Sequence, residues 1–239
     1  MNASLLLRAV RPIAALILTI AFLLPGITVA KDKQPLPEVS SDGLHLVKGT
    51  KVRIAYVLPG ATLDKYTKVK MLDCFVQFAK DWERDYNMNE VGLEGRVTNK
   101  DAVAIKQRLA EEFLAEFTKE LGKKGYPVVT ENGPDVLLLR PALINVEVTA
   151  PALNTPGMST TLVSSAGQMT LYMEMYDSAT STLLARVIDP RADMSAGPEV
   201  ANRATNQAAA DRIIERWASL LASHLAEVQG ESGKKKERW

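Results

Sequence analysis

The sequence is poor in cysteine and histidine and has almost no excess of charge. Its 239 residues contain one cysteine, Cys74, so no disulfide can form within the chain. The apolar neighbours Phe75, Val76 and Phe78 favour a buried thiol. Two histidines make a histidine-rich metal site unexpected. Lysine and arginine number 29 against 28 acidic residues, and without a basic excess we expect no nucleic-acid partner.

The sequence also lacks the motifs that identify common enzyme classes. It contains no Walker loop, dinucleotide-binding glycine pattern, nucleophile elbow or HExxH zinc motif. His45 and His224 lie in contexts typical of surface or helix-flank residues, so a catalytic triad is not indicated. We therefore expect no catalytic residues, no metal and no cofactor. The composition, 46% apolar and 24% charged residues, is that of an ordinary globular domain.

Residues 1–30 have the pattern of an export signal. Arg8 and Arg11 precede the apolar segment 13–24, and small residues ending at Ala30 form a cleavage site. The apolar segment is shorter than the about 20 residues of a spanning helix, although an uncleaved N-terminal anchor remains the alternative. No cysteine follows it for lipid attachment. We predict a periplasmic or secreted protein with no stable membrane anchor after cleavage.

The remaining chain divides by composition into three parts. Residues 31–50 contain three lysines and two prolines with little periodicity, and they predict a flexible tether. Residues 51–229 form a single predicted α+β domain. Residues 230–239 begin with glycine and carry a run of lysines, which is typical of a solvated tail.

Two long helices are predicted from apolar residues that recur at helical spacing. The first begins at Thr98, whose hydroxyl three residues before Asp101 suits a capping box, and it ends near Gly122. The second opens at Pro198 and ends at Gly230. Each carries one wide apolar stripe. The residues expected to lie against a sheet are Leu109, Phe113, Phe117, Trp217 and Leu221.

Alternating or continuous apolar runs predict the strands. Residues 51–58 alternate, and residues 136–148 form a longer run in which Pro141 indicates an edge position or a bulge. Residues 168–176 and 183–188 predict a hairpin with one wet face. The fold class that satisfies both helix stripes is α+β, a two-layer sandwich with a mixed, mostly antiparallel sheet and two long helices packed on one face.

The segment 61–98 has no clear period apart from a short strand at 74–78, and we interpret it as a long excursion. Its candidate binding residues are Trp82, Arg84, Asp85 and Tyr86, because aromatic residues and arginine dominate binding energy at interfaces. Inward packing of the two aromatic residues is the alternative.

The same segment also resembles a calcium loop in part. The spacing of Asp85, Asn87 and Asn89 matches the oxygen ligands of such a loop, but Glu90 replaces the required glycine and Arg96 replaces the bidentate glutamate. A calcium site is therefore not indicated.

A hydrolase is a further interpretation of the segment. It would use carboxylates of residues 73–90, and it requires Asp73, Asp81, Glu83 or Asp85 to converge in a concave pocket.

Six segments of the domain match a pattern known from other proteins: residues 78–82, 109–113, 133–137, 140–142, 165–171 and 177–186. In these segments the chain resembles a bacterial family of exported, often lipoprotein-like proteins, the domain of unknown function 3313. The resemblance covers residues 52–225, nearly the whole predicted domain. It implies an exported envelope protein but supplies no catalytic residues, and this chain departs from many members in lacking a lipobox cysteine.

Together these features predict a non-enzymatic periplasmic binding or assembly module, with another envelope protein as its expected partner. The unrecognised hydrolase of residues 73–90 is the alternative function.

The export signal generates the first testable prediction. Cleavage after Ala30 leaves a mature chain that begins at Lys31. Mass spectrometry of the protein recovered from a bacterial envelope fraction should give the mass of this shortened chain. A cytoplasmic protein that still begins at Met1 would contradict the prediction.

Overall fold

A seven-stranded sheet with two long helices on one face forms the body of the protein. The computed structural model describes residues 35–89, 95–149, 161–163, 167–193, 199–201 and 203–236. Every element below belongs to the compact unit Pro37–Trp239. The strands are β1 His45–Val47, β2 Ile54–Val57, β3 Lys68–Met71, β4 Phe75–Phe78, β5 Val136–Val148, β6 Thr161–Val163, β7 Gly167–Asp177, β8 Leu183–Ala192 and β9 Glu199–Ala201; the helices are α1 Trp82–Asn89, α2 Asn99–Lys123 and α3 Arg203–Lys236.

The strand order of the main sheet is β1-β2-β8-β7-β5, and β5 is followed by β3 and β4 along its far side. All pairings are antiparallel except those of β3 and β4 with β5, which are parallel. The predicted hairpin is β7 and β8. A separate two-stranded sheet joins β6 to β9. The predicted fold class, an α+β sandwich with a mixed, mostly antiparallel sheet, is confirmed.

The helices bury the stripes that their sequences predict. Thr98 caps α2 in a reciprocal capping box with Asp101. Phe113 and Phe117 stack with ring centroids 4.1 Å apart, and Gly125 at φ +85° follows the end of the helix. Within the described residues, no helix combines the length and the apolar composition needed to cross a membrane. The residues predicted to lie against the sheet are all buried: Leu109, Phe113, Phe117, Trp217 and Leu221.

Pro141 lies inside an unbroken central strand, not at an edge. On the side of β5 that faces β3 and β4, the Leu139 carbonyl accepts a hydrogen bond from the Leu72 N–H. Pro141 faces the same side two residues later, where β3 has ended and β4 begins only at the level of Ala142. Its missing N–H therefore deprives no neighbouring strand of a bond. The irregularity of β5 comes later, between Ile144 and Glu147.

Several predicted boundaries differ from the structure. The segment expected to be a tether contains β1, and Leu44 beside it is completely buried. The excursion 61–98 contains β3 and α1 in addition to the expected short strand, now β4. These elements have eight residues or fewer, too short for a period to emerge.

The last helix starts and ends later than expected. Glu199–Ala201 pairs with β6 as a strand, so α3 begins at Arg203. At its other end α3 continues through Gly230 to Lys236, because Gly230 keeps a negative φ and glycine in a helix costs only about 1 kcal/mol.

The packing of α2 generates the second prediction. Phe113→Ala should lower the free energy of unfolding by about 3–5 kcal/mol, the range for a large buried aromatic side chain. The neighbouring variant Leu114→Ala is the control, because Leu114 is 48% exposed and should change stability by less than about 0.5 kcal/mol. Chemical denaturation measures both. Equal losses in the two variants would contradict the assigned buried face.

Candidate functional site

The sheet is wider than the pair of helices that covers it. Six strands at about 4.8 Å each are about 29 Å wide, whereas two helices at about 10 Å each cover about 20 Å, so a width of about two strands is left over. The helix α2 contacts β4, and α3 contacts β7 near the middle of the sheet. The inner faces of β2 and β1, and the part of β8 beside them, therefore extend beyond α3.

A cavity of about 560 Å³ lies in this uncovered corner, between α3 and the inner faces of β8, β2 and β1. Its volume falls within the range of about 300–1,000 Å³ typical of small-molecule sites. Alanines at two inner-face positions, Ala55 and Ala185, leave space where longer side chains would fill it. Most lining side chains are apolar; those of the sheet and helices include Val57, Met173, Met175, Val187, Trp217, Leu220, Leu221 and Val228.

The rim of the cavity is polar. Lys51, in the loop between β1 and β2, approaches Glu227 of α3 with a 3.5 Å distance from Nζ to Oε1. Both side chains are exposed, at 71% and 58%. His224 lies one helical turn before Glu227 and is also exposed. Charged and polar groups therefore face water where the apolar interior opens.

A buried carboxylate holds the helix above this cavity. Asp189 on the inner face of β8 is 2% exposed and accepts hydrogen bonds from the Trp217 indole N–H at 2.8 Å and from Arg191 Nε at 2.7 Å. The backbone N–H of Arg53 donates a third bond, also at 2.7 Å. Three donors satisfy this charge, so Asp189 is a structural group of the site.

A second, smaller cavity lies between α2 and α3. Its volume is about 60 Å³, and Glu112, Arg108 and Asn206 are among the residues that line it. The Oε1 atom of Glu112 is buried and accepts no hydrogen bond from the described residues. Burial, and after it the negative charge of Asp211, raises the pKa of Glu112 to about 7. This carboxyl therefore titrates near neutral pH.

The four predicted binding residues divide between the two faces of α1. Trp82 is 8% exposed, stacks on Phe78 with centroids 4.2 Å apart, and donates its indole N–H to the Val148 carbonyl at 3.2 Å. Tyr86 is half-buried and lies 6.1 Å from Trp82, centroid to centroid. Arg84 and Asp85 are exposed and paired with each other at 2.8 Å. The contacts of Trp82 are those of a packing residue.

The carboxylates of the hydrolase alternative do not gather in either cavity. Asp81 and Asp85 are exposed and pair with Arg84, and Asp73 is exposed on the loop before β4. The other candidate acid, Glu83, is half-buried on α1. This arrangement does not support acid–base catalysis by the segment.

Asn87 and Asn89, which share the spacing of calcium ligands, have structural roles instead. The Asn87 side chain bonds both backbone groups of Val97, at 2.7 and 2.9 Å, and Asn89 bonds the Asp85 carbonyl. In the part of the chain that the structure describes, no three potential metal ligands among His, Cys, Asp and Glu lie together.

Cys74 is half-buried at the turn into β4. Burial raises the pKa of its thiol to about 12, so the thiol remains protonated near neutral pH and is a poor nucleophile.

The outer face of the hairpin carries a polar cluster that sequence reasoning missed. Glu174 belongs to the face predicted to be wet, but it is buried and accepts hydrogen bonds from the hydroxyls of Tyr172 and Tyr176 and from Arg186. Burial alone would raise the pKa of Glu174, and these bonds outweigh it and lower that pKa. Arg186 also pairs with Asp42. All members are partnered, so the cluster stabilises the sheet and the segment before β1.

The cavity itself was not predicted from the sequence, although three of its lining residues, Phe117, Trp217 and Leu221, were expected to lie against the sheet. A signal was present in α3, where His224 follows Leu221 by three residues and Glu227 follows His224 by three more. Leu221, His224 and Glu227 thus lie along one face of α3, which is apolar up to Leu221 and polar beyond it. A helix face of this kind is in contact with water over part of its length.

The fold and the site define a two-layer α+β sandwich with an apolar cavity between its sheet and one helix. The chain belongs to the family described as a protein of unknown function (DUF3313), which matches residues 39–221. No curated protein matches the sequence significantly.

Two solved structures show weak likeness. One is the PelC dodecamer from Paraburkholderia phytofirmans, with 12% identity, coverage of 70% of this chain and 96% of that chain, and a TM-score of 0.36. The other is a DUF4136 family protein from Bacteroides thetaiotaomicron, with 14% identity, coverage of 70% and 95%, and a TM-score of 0.32. With TM-scores this low, neither likeness bears on the function of this chain.

Glu112 generates the third prediction. Because its folded pKa is raised above its ordinary value, the fold loses stability as the pH rises from about 4.5 to about 7. Glu112→Gln removes this loss and should stabilise the protein at pH 8 by about 1 kcal/mol, a value reduced for solvent screening of a half-buried group. At pH 4.5 the variant and the parent should be nearly equal.

Denaturant unfolding at several pH values measures the effect. Glu131→Gln changes an exposed glutamate of the loop before β5 that does not contribute to the shift, and it is the control that should not alter the pH dependence. If the free energies of unfolding of Glu112→Gln and the parent protein differed by the same amount at every pH between 4.5 and 8, the raised pKa of Glu112 would be contradicted.

Proposed function

We propose that this protein is an exported, non-enzymatic binding module of the bacterial envelope that holds an apolar molecule between α3 and the inner faces of β2 and β8. The observation that carries the proposal is the 560 Å³ cavity with its apolar interior and polar rim. Cavities of this size with a few polar groups at one place are the usual form of a ligand site.

The hydrogen bonds of three buried aspartates, Asp177, Asp189 and Asp193, support binding over catalysis at this cavity. Asp177 receives bonds from Lys65, Tyr66 and two backbone N–H groups, and Asp193 receives two from Arg212. Asp189, nearest the cavity, is likewise fully engaged. Acids held in this way by permanent donors stabilise a fold and are not available as general bases.

Export from the cytoplasm remains a proposal that rests on residues 1–30 and their cleavage site at Ala30. Another envelope protein remains the proposed partner. The exposed side of α1 supports this choice, because Arg84 and Asp85 face solvent there and Met88 is largely exposed beside them. Charged residues around an exposed apolar side chain are typical of interface rims.

The fourth prediction tests the cavity with an uncharged fluorescent ligand, N-phenyl-1-naphthylamine. The parent protein should bind it with increased fluorescence, because transfer from water into the apolar interior is favourable. Ala185→Leu extends a side chain into the cavity and should weaken binding by at least about tenfold, equivalent to about 1.4 kcal/mol.

Ala192→Leu is the matched control, because Ala192 lies on the opposite face of the same strand, paired with Gln168. It should leave binding unchanged. Thermal denaturation should show both variants folded. Failure of the parent protein to bind the probe, or equal weakening by both variants, would refute the proposed site.

A further inference from the structure

Among the described residues, the acidic and basic groups of the cavity lie at its rim. Among the described lining residues, the acidic and basic side chains are Lys51, His224 and Glu227, and all three are exposed. They meet where the loop between β1 and β2 approaches α3. A ligand that matches this distribution has an apolar body in the interior and a polar head group at the rim.

The hydrogen bonds that the lining residues already make indicate the charge of that head group. Thr50 already donates to the Val52 carbonyl at 2.8 Å, and Trp217 donates to Asp189. Lys51 makes a single long contact of 3.5 Å with Glu227, and His224 has no hydrogen-bond or ion-pair partner within the described residues. The rim therefore has donors with unused capacity, and one of them carries a full positive charge.

We infer that the ligand is an anionic amphiphile whose chain occupies the cavity and whose head group binds Lys51 and His224. This inference rests on the proposed function and adds the chemical class of the ligand. An anionic head group can accept hydrogen bonds from both residues and compete with Glu227 for Lys51. An alcohol offers the same chain without the charge. A quaternary ammonium head group has no acceptor for the Lys51 and His224 donors, and Glu227, its anionic partner at the rim, already lies against Lys51.

The experiment measures displacement of the uncharged fluorescent probe by three ligands that share one chain: dodecanoate, dodecanol and dodecyltrimethylammonium. The two charged ligands are kept below their micelle concentrations and dodecanol below its solubility in water. The parent protein should bind dodecanoate about fivefold more tightly than dodecanol, which is the gain expected from an exposed charged contact. It should bind the cationic ligand most weakly.

Two variants locate the head group. Lys51→Glu should abolish or reverse the preference for dodecanoate and leave the affinity for dodecanol unchanged. His224→Leu removes the second donor and should reduce the preference in the same direction. Lys48→Glu is the control, because Lys48 is an exposed lysine of the same loop that pairs with Glu38 and does not line the cavity. It should retain the preference.

The outcomes separate this inference from the proposed function. Binding of the probe and equal affinity for dodecanoate and dodecanol would overturn the head-group inference alone. The inference would also be overturned if Lys48→Glu and Lys51→Glu reduced the preference for dodecanoate equally. The preference would then come from the total charge of the loop and not from a contact with Lys51. Failure of the neutral probe to bind would overturn the cavity itself.

Discussion

The arrangement of the two layers depends on the carboxylate of Asp189. A buried charge is costly unless it is paired and hydrogen-bonded, and Asp189 meets that requirement with donors from three parts of the chain. Trp217 lies on α3, Arg191 lies on β8 itself, and Arg53 is the residue that directly precedes β2. One side chain thereby fixes how closely α3 approaches the sheet and where β2 begins.

Polar contacts at both ends of α3 extend this constraint along its length. Near its start, Arg212 pairs with Asp193 just after β8. Near its end, Gln229 donates to the carbonyl of Tyr66 at 2.7 Å, and the Tyr66 hydroxyl donates to Asp177 at the end of β7. The helix is held at three levels and cannot slide outward over β2 without breaking buried bonds. The cavity is therefore framed by polar contacts although its own lining is mostly apolar.

Sequence patterns predicted the parts of this fold whose information is local. The helix α2 combines a capping box with apolar residues in steps of four, and β7 alternates over its whole length. The short elements β1 and β3 escaped prediction because three or four residues stabilised by pairing carry almost no period. Pro141 shows the same limit, since its place in a central strand depends on where β3 and β4 end and begin.

The candidate site could not be predicted because it arises from the relative widths of two layers. Its lining comes from strands and helices far apart in sequence, and no single residue type marks it. Trp82 was predicted as a binding residue because aromatic and charged residues are mixed around it in the sequence. The mixture has a structural explanation, since α1 is a short helix with one buried and one exposed side. Water that enters through the polar rim meets an apolar interior with few hydrogen-bond partners. Replacing that water with an apolar chain would release it and bury surface on both molecules, so the proposed binding would draw its driving force from the apolar surface of the sheet that α3 leaves uncovered.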